Sequence, residues 1–506
     1  MNVMLMALYR YQNYPVRIFH SMLQGMEGVE PHSVFLKNYF ENTFSLPTPR
    51  EEELFIEILK EVKPKLVGIS VLSPYFKIAK RLTELIRENS EALVLWGGIH
   101  PTIAPESCIS VADIVCVGEG EEALADLVEC LKNNTEYSHI PNLWINRLDG
   151  VVKNPMRPLV QDMDSLPLPA YGQKNFAFID NDRVRTDDPT LKYDIFFVMG
   201  SRGCPFSCSY CVNSLLKPLF KGLGKYPRRR SVDSILAEIK QDANVASRKY
   251  ILFYDEIFGN EKQWLDEFIL RYKKEVGLPF YIQYNPNMVK SMLLENIGVL
   301  VGSGLQTLNL GIQSGSETIR KQIYKRSGKN EDILKIANHV AQYGICINYD
   351  LIIENPYDTA ETLKETIDLL LQLPKPLSFH LYSLQFFPKY PLTKRALEAG
   401  LISSEEEITK NLLETTTRNW HYIPKLIPCS RKQTYCNIIW LMVRNLTEDK
   451  CVVQAFSAGG VLGQFRLLRL SMKALFLYRF IGSKAEARWQ GAKKGLRQAF
   501  GRARRA

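Results

Sequence analysis

Two long stretches of this chain alternate short apolar runs with helix-period segments, and such alternation admits little besides parallel sheets covered by helices. The first series runs MNVMLMAL, KLVGISVL, a helical stretch near residues 74–88, ALVLWGG, and ADIVCVGEG leading into EEALADLVECL. It predicts an open, doubly wound parallel sheet over residues 1–140, whose ligands sit beyond the carboxyl ends of the strands. Residues 141–190 read as a hairpin, NLWINRLDGVVKN, and a proline-rich linker, MRPLVQDMDSLPLPAYG. The second series offers strands YDIFFVMG, YILFYDE, FYIQY, TLNLGIQSG, INYDLII and LYSLQFF, and predicts a partial six-stranded α/β barrel over 191–390 with functional groups at the strand C-termini. After Pro391 the strand signal fades, and residues 391–506 read as mainly helical.

At 506 residues the chain calls for two or three domains, and 46% hydrophobic with 23% charged content suits a soluble globular protein. No run of eighteen apolar residues occurs, and the first fifteen residues lack a basic region or cleavage site, so a cytoplasmic protein is expected. The ten cysteines are scattered apart from one group of three, which argues for reduced thiols rather than a disulfide framework. The net charge of +10 is localised: residues 461–506 hold twelve Lys or Arg against the single acid Glu486. The body is near neutral, and nucleic acid is not expected as a partner.

One group of cysteines is spaced for joint chemistry. YDIFFVMG ends in SRGCPFSCSYC, which puts Cys204, Cys208 and Cys211 in one loop after the first strand of the second series. A CxxxCxxC loop can wrap three thiolates around a cubane iron–sulfur cluster while supplying no fourth ligand, unlike the closed four-cysteine electron-transfer sites. The remaining iron is open to a substrate. A zinc site completed by a distant ligand is the alternative, against which no second CxxC pair and no HxxxH pattern occurs.

With Tyr210 directly before its last cysteine, this loop resembles the signature of the radical S-adenosylmethionine (SAM) superfamily, and the likeness spans residues 193–387. The resemblance implies a TIM-like partial (β/α)6 barrel and a [4Fe-4S] cluster on the three cysteines. SAM would chelate the open iron and be cleaved reductively to a 5′-deoxyadenosyl radical that removes hydrogen from substrate. The resemblance also assigns Tyr210 to the cofactor and places Asp255 or Glu256 near its ammonium, although Tyr254-Asp255-Glu256 replaces the commoner Gly-Gly-Glu. GIQSGSE, residues 311–317, resembles the fourth-strand motif near the ribose and nominates Gln313, Ser314 and Glu317. A strand-to-helix turn accounts for the same residues. Arg326 is nominated for the cofactor carboxylate, which a guanidinium suits, with an exposed helix face as its alternative. IIENPYDT, residues 352–359, resembles the fifth-strand element with Glu354 and Tyr357 in place of glycines.

The first domain resembles the Rossmann-like (flavodoxin-like) cobalamin (B12)-binding domain that precedes the barrel in a large radical SAM subclass. The matching segments are GISVLSPY, WGGIHPTIAPE and DIVCVGEGE, and they nominate Ser70, Ser73, Gly97, Gly98, Gly118, Glu119 and Gly120 for cobalamin. A DxHxxG motif is missing, so His20 and His100 read as polar loop residues and no histidine ligand to cobalt is expected. A methylthiotransferase-like protein would instead hold a second cluster, for which Cys108, Cys116 and Cys130 are the available thiols, two of them in apolar surroundings.

The combined resemblance implies cobalamin-mediated methyl transfer onto an unactivated carbon of a small-molecule or lipid-like substrate, with an electron supplied by a reductant such as flavodoxin or ferredoxin. A cobalamin-dependent cyclase or rearrangement enzyme is the enzymatic alternative, and a non-catalytic cobalamin-binding module the alternative of another class. Tyr382, Phe386 and Phe387 are candidates to face a greasy substrate. In the tail, Arg466, Arg469 and Lys473 fall on one side of a helix otherwise rich in Leu, Met and Phe, a pattern that suits either an anionic membrane interface or a core-packed helix. No catalytic acid or base is identified by the sequence.

Overall fold

The computed structural model describes residues 1–39, 45–288, 292–375, 378–406, 408, 430–458, 462–475 and 477. The first series folds as a nine-stranded sheet from Asn2–Leu8 (β1), Glu30–Leu36 (β2), Leu66–Ser70 (β3), Leu93–Gly97 (β4), Ile114–Cys116 (β5), Leu143–Arg147 (β6), Gly150–Lys153 (β7), Phe176–Asp180 (β8) and Arg183–Arg185 (β9). Their order is β7-β6-β5-β4-β3-β1-β2-β8-β9. β1 reads as an unbroken apolar run because both its faces are covered: Met4, Met6 and Leu8 enter one core while Val3, Leu5 and Ala7 enter the other. It pairs in parallel with β2 on one side and β3 on the other, so the strand order reverses at β1, where the carboxyl ends of open α/β sheets frame the crevice that ligands use.

The stretch expected to be a hairpin and a linker is woven into this sheet. β6 and β7 form the hairpin and extend the β5 edge in antiparallel fashion, while β8 adds in parallel to β2 and β9 turns back upon it. Both edges of the parallel core, whose unpaired N–H and C=O groups would otherwise face water, are thereby paired. The return is fastened by Arg17, fully buried in the helix Tyr14–Gln24, which donates to both Asp188 carboxylate oxygens at 2.8 and 3.2 Å and to the carbonyls of Ala170 and Tyr11. Removing one member of such a buried pair costs about 3–5 kcal/mol.

The second series supplies Ile195–Val198 (β10), a short ribbon of Ser201–Arg202 (β11) with Arg228–Arg229 (β12), and then Tyr250–Phe253 (β13), Phe280–Tyr284 (β14), Leu305–Gln313 (β15), Cys346–Ile353 (β16) and Ser378–Ser383 (β17). The sheet order β10-β13-β14-β15-β16-β17 follows the chain, as in a partial barrel. The sixth strand starts earlier than LYSLQFF suggests, because polar Ser378 and His380 pair with Asn348 and Asp350 of β16; residues 384–387 follow the strand.

By compactness the chain divides into Met1–Leu308 with Tyr324–Arg326 and Gln385–Arg418, and Asn309–Ile323 with Ser327–Leu384 and Asn419–Ala506. This division runs within the expected 191–390 region rather than at its ends. The C-terminal helices include Pro391–Glu398, Arg431–Val443 and Asp449–Ser457. No helix among the described residues is long and apolar enough to cross a membrane. Residues 478–506, with the basic GRARRA end, lie outside the described residues.

Candidate active site

The cluster loop spans residues 203–227, between the two ribbon strands. Gly203 begins it at φ 99, where a Cβ would lie 2.6 Å from the Tyr226 ring, so a side chain is excluded by both backbone and space. Cys204 and Cys208 are buried and Cys211 half-buried. Burial pushes the Cys204 thiol up to about 12 and that of Cys211 up to about 11. A bound cation would hold these groups as thiolates. Among the described residues no three His, Cys, Asp or Glu side chains are drawn together around a single metal position.

Two N–H donors already point at the sulfurs. Asn213 Nδ2 lies 3.7 Å from Cys211 Sγ, and Arg326 donates to Cys208 Sγ at 3.7 Å, to the Tyr210 hydroxyl at 3.0 Å and to Asn285 Oδ1 at 3.1 Å. Such donors stabilise thiolate ligands, so the loop fits an iron–sulfur cluster. Arg326 stands in a buried loop position rather than on an exposed helix face. Asn213 is held in turn by the Tyr226 hydroxyl, and Tyr210 packs edge-on to Tyr324 with ring centroids 5.0 Å apart.

The two acids after β13 take opposite roles. Asp255 is 1% exposed and accepts from Gly200 N at 3.0 Å and from the Ser201 hydroxyl, which ties the end of β13 to the end of β10. These bonds give it a scaffold role. Glu256 lies beside the cluster loop, where desolvation pushes its carboxyl up and Asn213 opposes this by hydrogen bonding. A cationic group would relieve that desolvation, so Glu256 fits the cofactor's ammonium.

In the other compact unit, Gln313 ends β15 at φ 71. Ser314 is buried, its carbonyl accepts from Arg320, and the following Gly315 N–H donates to Thr366 Oγ1 at 3.0 Å. Glu317 accepts from Asn330 N at 2.7 Å at the start of the helix Asn330–Ala341. These bonds account for Ser314 and Glu317 as parts of a strand-to-helix turn. Glu354 occupies the left-handed region at φ 55, which explains why the related element carries glycine there, and it accepts from Ser383 Oγ at 2.6 Å.

At the carboxyl ends of β1, β3 and β4, three buried polar atoms have no partner: Arg10 Nε, Gln12 Oε1 and His100 Nε2. Ser73 Oγ bonds His100 Nδ1 at 3.0 Å, and burial lowers this histidine to about 4. Ser70 and Gly97 end their strands half-buried, with Gly98 next to them. Unsatisfied buried groups at a topological switch suit a ligand rimmed with amides, as a corrinoid is. His20 is a core residue, bonded to Ser33 Oγ at 3.0 Å and edge-on to Phe176.

Gly118, Glu119 and Gly120 are taken up by the protein itself. A Cβ on Gly118 would meet Met156 Sδ at 3.3 Å, one on Gly120 would meet the Phe19 ring at 3.3 Å, and the Glu119 carboxylate is bonded to Arg202 and Arg228. Within the chain, these three residues serve protein packing and ion pairing. Cys108 lies in one core of the first sheet while Cys116 lies in the other, so they do not converge on a second cluster.

The profile of the Radical SAM superfamily matches residues 198–370, and that of the B12 binding domain matches residues 15–128. The chain is a cobalamin-domain radical SAM enzyme. It is 28% identical over 378 residues to an uncharacterized methyltransferase of Pyrococcus horikoshii, covering 74% of this chain and 75% of that one. To the bacteriochlorophyllide d C-8(2)-methyltransferase of Chlorobaculum tepidum it is 25% identical over 404 residues, covering 77% and 81%. Its fold is similar to that of the radical SAM methyltransferase TsrM from Kitasatospora setae, solved with cobalamin and a [4Fe-4S] cluster, at TM-score 0.61 and 15% identity over 94% of this chain and 98% of that one.

Sequence reasoning passed over several residues of this radical SAM site. Asn213, inside the cluster loop, and Asn285, which accepts from Arg326, are uncharged amides outside any motif. Arg10 lies over the Tyr254 ring at 4.9 Å, although the two stand far apart in sequence. The apolar run before Arg10 marks the strand end, and that was the available signal.

Proposed function

We propose that this radical SAM enzyme transfers a methyl group, with cobalamin as carrier, to an unactivated carbon of a small-molecule substrate. The observation that carries the reading is a conjunction within one compact unit: three thiols with N–H donors at two of them, and a strand-end crevice whose Arg10, Gln12 and His100 present unpartnered buried atoms. When bound, the cluster and SAM supply hydrogen-atom abstraction, and cobalamin supplies the transferable methyl group. Cys204, Cys208 and Cys211 hold the cluster, while Asn213 and Arg326 orient and stabilise its sulfurs. Glu256 receives the ammonium of SAM, and Tyr210 belongs to the SAM-binding surroundings. Burial of Cys204 and Cys208 keeps water and oxidants from the reacting groups. The electron comes from a small donor such as flavodoxin or ferredoxin.

We further assign the substrate to lipid-like or tetrapyrrole molecules worked on at an anionic membrane surface. The helical segment 462–475 exposes Leu462, Phe465, Leu468 and Met472 at 41–62% beside exposed Arg466, Arg469 and Lys473. Apolar and basic groups on one solvent face suit a bilayer interface better than a protein core.

Anaerobic reduction of the reconstituted enzyme with SAM tests the first reading: 5′-deoxyadenosine and a product heavier by one CH2 are expected. A product lighter by two hydrogens would establish the cyclase instead, and absence of 5′-deoxyadenosine would reject radical chemistry. The membrane assignment fails if replacing Phe465 and Met472 by Ser leaves sedimentation with phosphatidylglycerol vesicles unchanged.

A further inference from the structure

The turn between β5 and the helix Glu121–Asn133 sends one carboxylate into the base of the cluster loop. Glu119 accepts from Arg202 at 3.0 Å, from both terminal nitrogens of Arg228 at 2.7 and 2.8 Å, and from Val160 N at 2.9 Å. Arg202 also donates to Glu121 at 2.6 Å. All four charged side chains are largely buried, at 18%, 3%, 14% and 5% exposure for Arg202, Arg228, Glu119 and Glu121. Burial alone would push the Glu119 carboxyl up, but the two guanidiniums hold it below the ordinary carboxylate range.

The arginines are cross-strand partners. Arg202 opposes Arg228 in the antiparallel ribbon, and the loop of residues 203–227 with its three cysteines is everything between them. One carboxylate of the first sheet thus grips both ends of the loop. Two cations and two anions balance, so the four charges are paired only when the ribbon lies against this turn. Gly118 and Gly120 let the turn close, since side chains there would meet Met156 and Phe19.

We propose that Glu119 is a positioning residue: its clamp on Arg202 and Arg228 sets where the cluster loop stands relative to the crevice of the first sheet. The clamp governs how often a substrate made ready at one site is met by the group delivered from the other, without touching either reactant. This consequence for coupling rests on the methyl-transfer reading, whereas the clamp itself does not.

Hydrogen exchange in the full-length chain provides the first test, with E119Q and E119D compared with wild type. E122Q serves as control, because exposed Glu122 pairs with Arg157 nearby. In E119Q, amides of residues 203–227 should exchange at least about tenfold faster while β1 and β3 keep wild-type rates, with E119D intermediate and E122Q unchanged. Wild-type exchange across 203–227 in E119Q overturns the proposal. So does acceleration spread evenly over the first sheet, which would make Glu119 a residue of general stability. If E119Q does not accumulate in folded form, the same outcomes are read on E119D. In reconstituted enzyme, the KM for SAM should stay within about twofold in E119D while product formed per 5′-deoxyadenosine falls at least about fivefold. An unchanged ratio overturns the coupling role. A wild type that makes 5′-deoxyadenosine and no methylated product would sink methyl transfer, and the exchange pattern would still decide the clamp.

Discussion

The Arg326 guanidinium stands 3.7 Å from Cys208 Sγ, so a buried cation touches the cluster loop from 118 residues away in the sequence. A positive donor favours the reduced, more negative state of a thiolate cluster. R326Q should therefore lower the midpoint potential by roughly 60 mV, equivalent to one charge-assisted hydrogen bond of about 1.4 kcal/mol. An EPR-monitored redox titration reads the shift, and an unchanged potential would move Arg326 from the cluster to the SAM carboxylate.

Substitution of single cysteines separates the one-cluster from the two-cluster reading. Cys204→Ala, Cys208→Ala and Cys211→Ala should each lose most of the iron bound after anaerobic reconstitution, because a cubane held by two protein thiolates is exposed to solvent and oxidant. Cys116→Ser should keep wild-type iron, since that thiol faces an apolar core. Iron content per chain is the measurement, and loss of iron in the Cys116 variant would revive a second cluster.

Asp255 and Glu256 are adjacent yet should fail differently. Asp255→Ala leaves the Gly200 N–H and the Ser201 hydroxyl without their acceptor and should cost about 2–4 kcal/mol in urea unfolding. Glu256→Gln should leave the unfolding midpoint in place and weaken SAM binding about tenfold, the loss of one charge-assisted contact. Equal stability losses in the two variants would contradict the division of roles.

Acid should destabilise the first domain through two histidines. Burial depresses His20 and His100 from 6.5 to about 4, so both fold in the neutral form. The unfolded chain takes up their protons first, and stability present above pH 6.5 is lost as pH falls toward 4, by about 1.4 kcal/mol per pH unit per histidine. Denaturation midpoints should hold steady from about pH 8 to 7 and fall with this slope from about pH 6.5 to 5, and H20Q and H100Q should each flatten the fall.

Much of the fold was legible because burial on two faces writes strands as apolar runs: β1, β3 and β4 stand out in the sequence for that reason. β2 did not, since EPHSVFL opens on Glu30, Pro31 and His32 before its buried half. β8 was hidden by the prolines before it, and its burial comes from pairing with β2, which no local pattern encodes. At the site, the cysteine spacing carried the cluster, but glycines read as approaches to cobalamin are occupied by Met156 and Phe19. Asp255 and Glu256 look alike in sequence and were told apart only by which donors fold against them.

The sheet formed by residues 2–185 has a practical corollary for modularity. Its outer strands are encoded after the expected boundary at residue 140, so a fragment ending there would expose the edges of β5 and β2 and invite strand-to-strand aggregation. The corrinoid-side module is therefore not a detachable cassette. Any recombinant exchange of it between related chains must carry the return strands and Asp188 along, so the natural crossover point lies beyond residue 188.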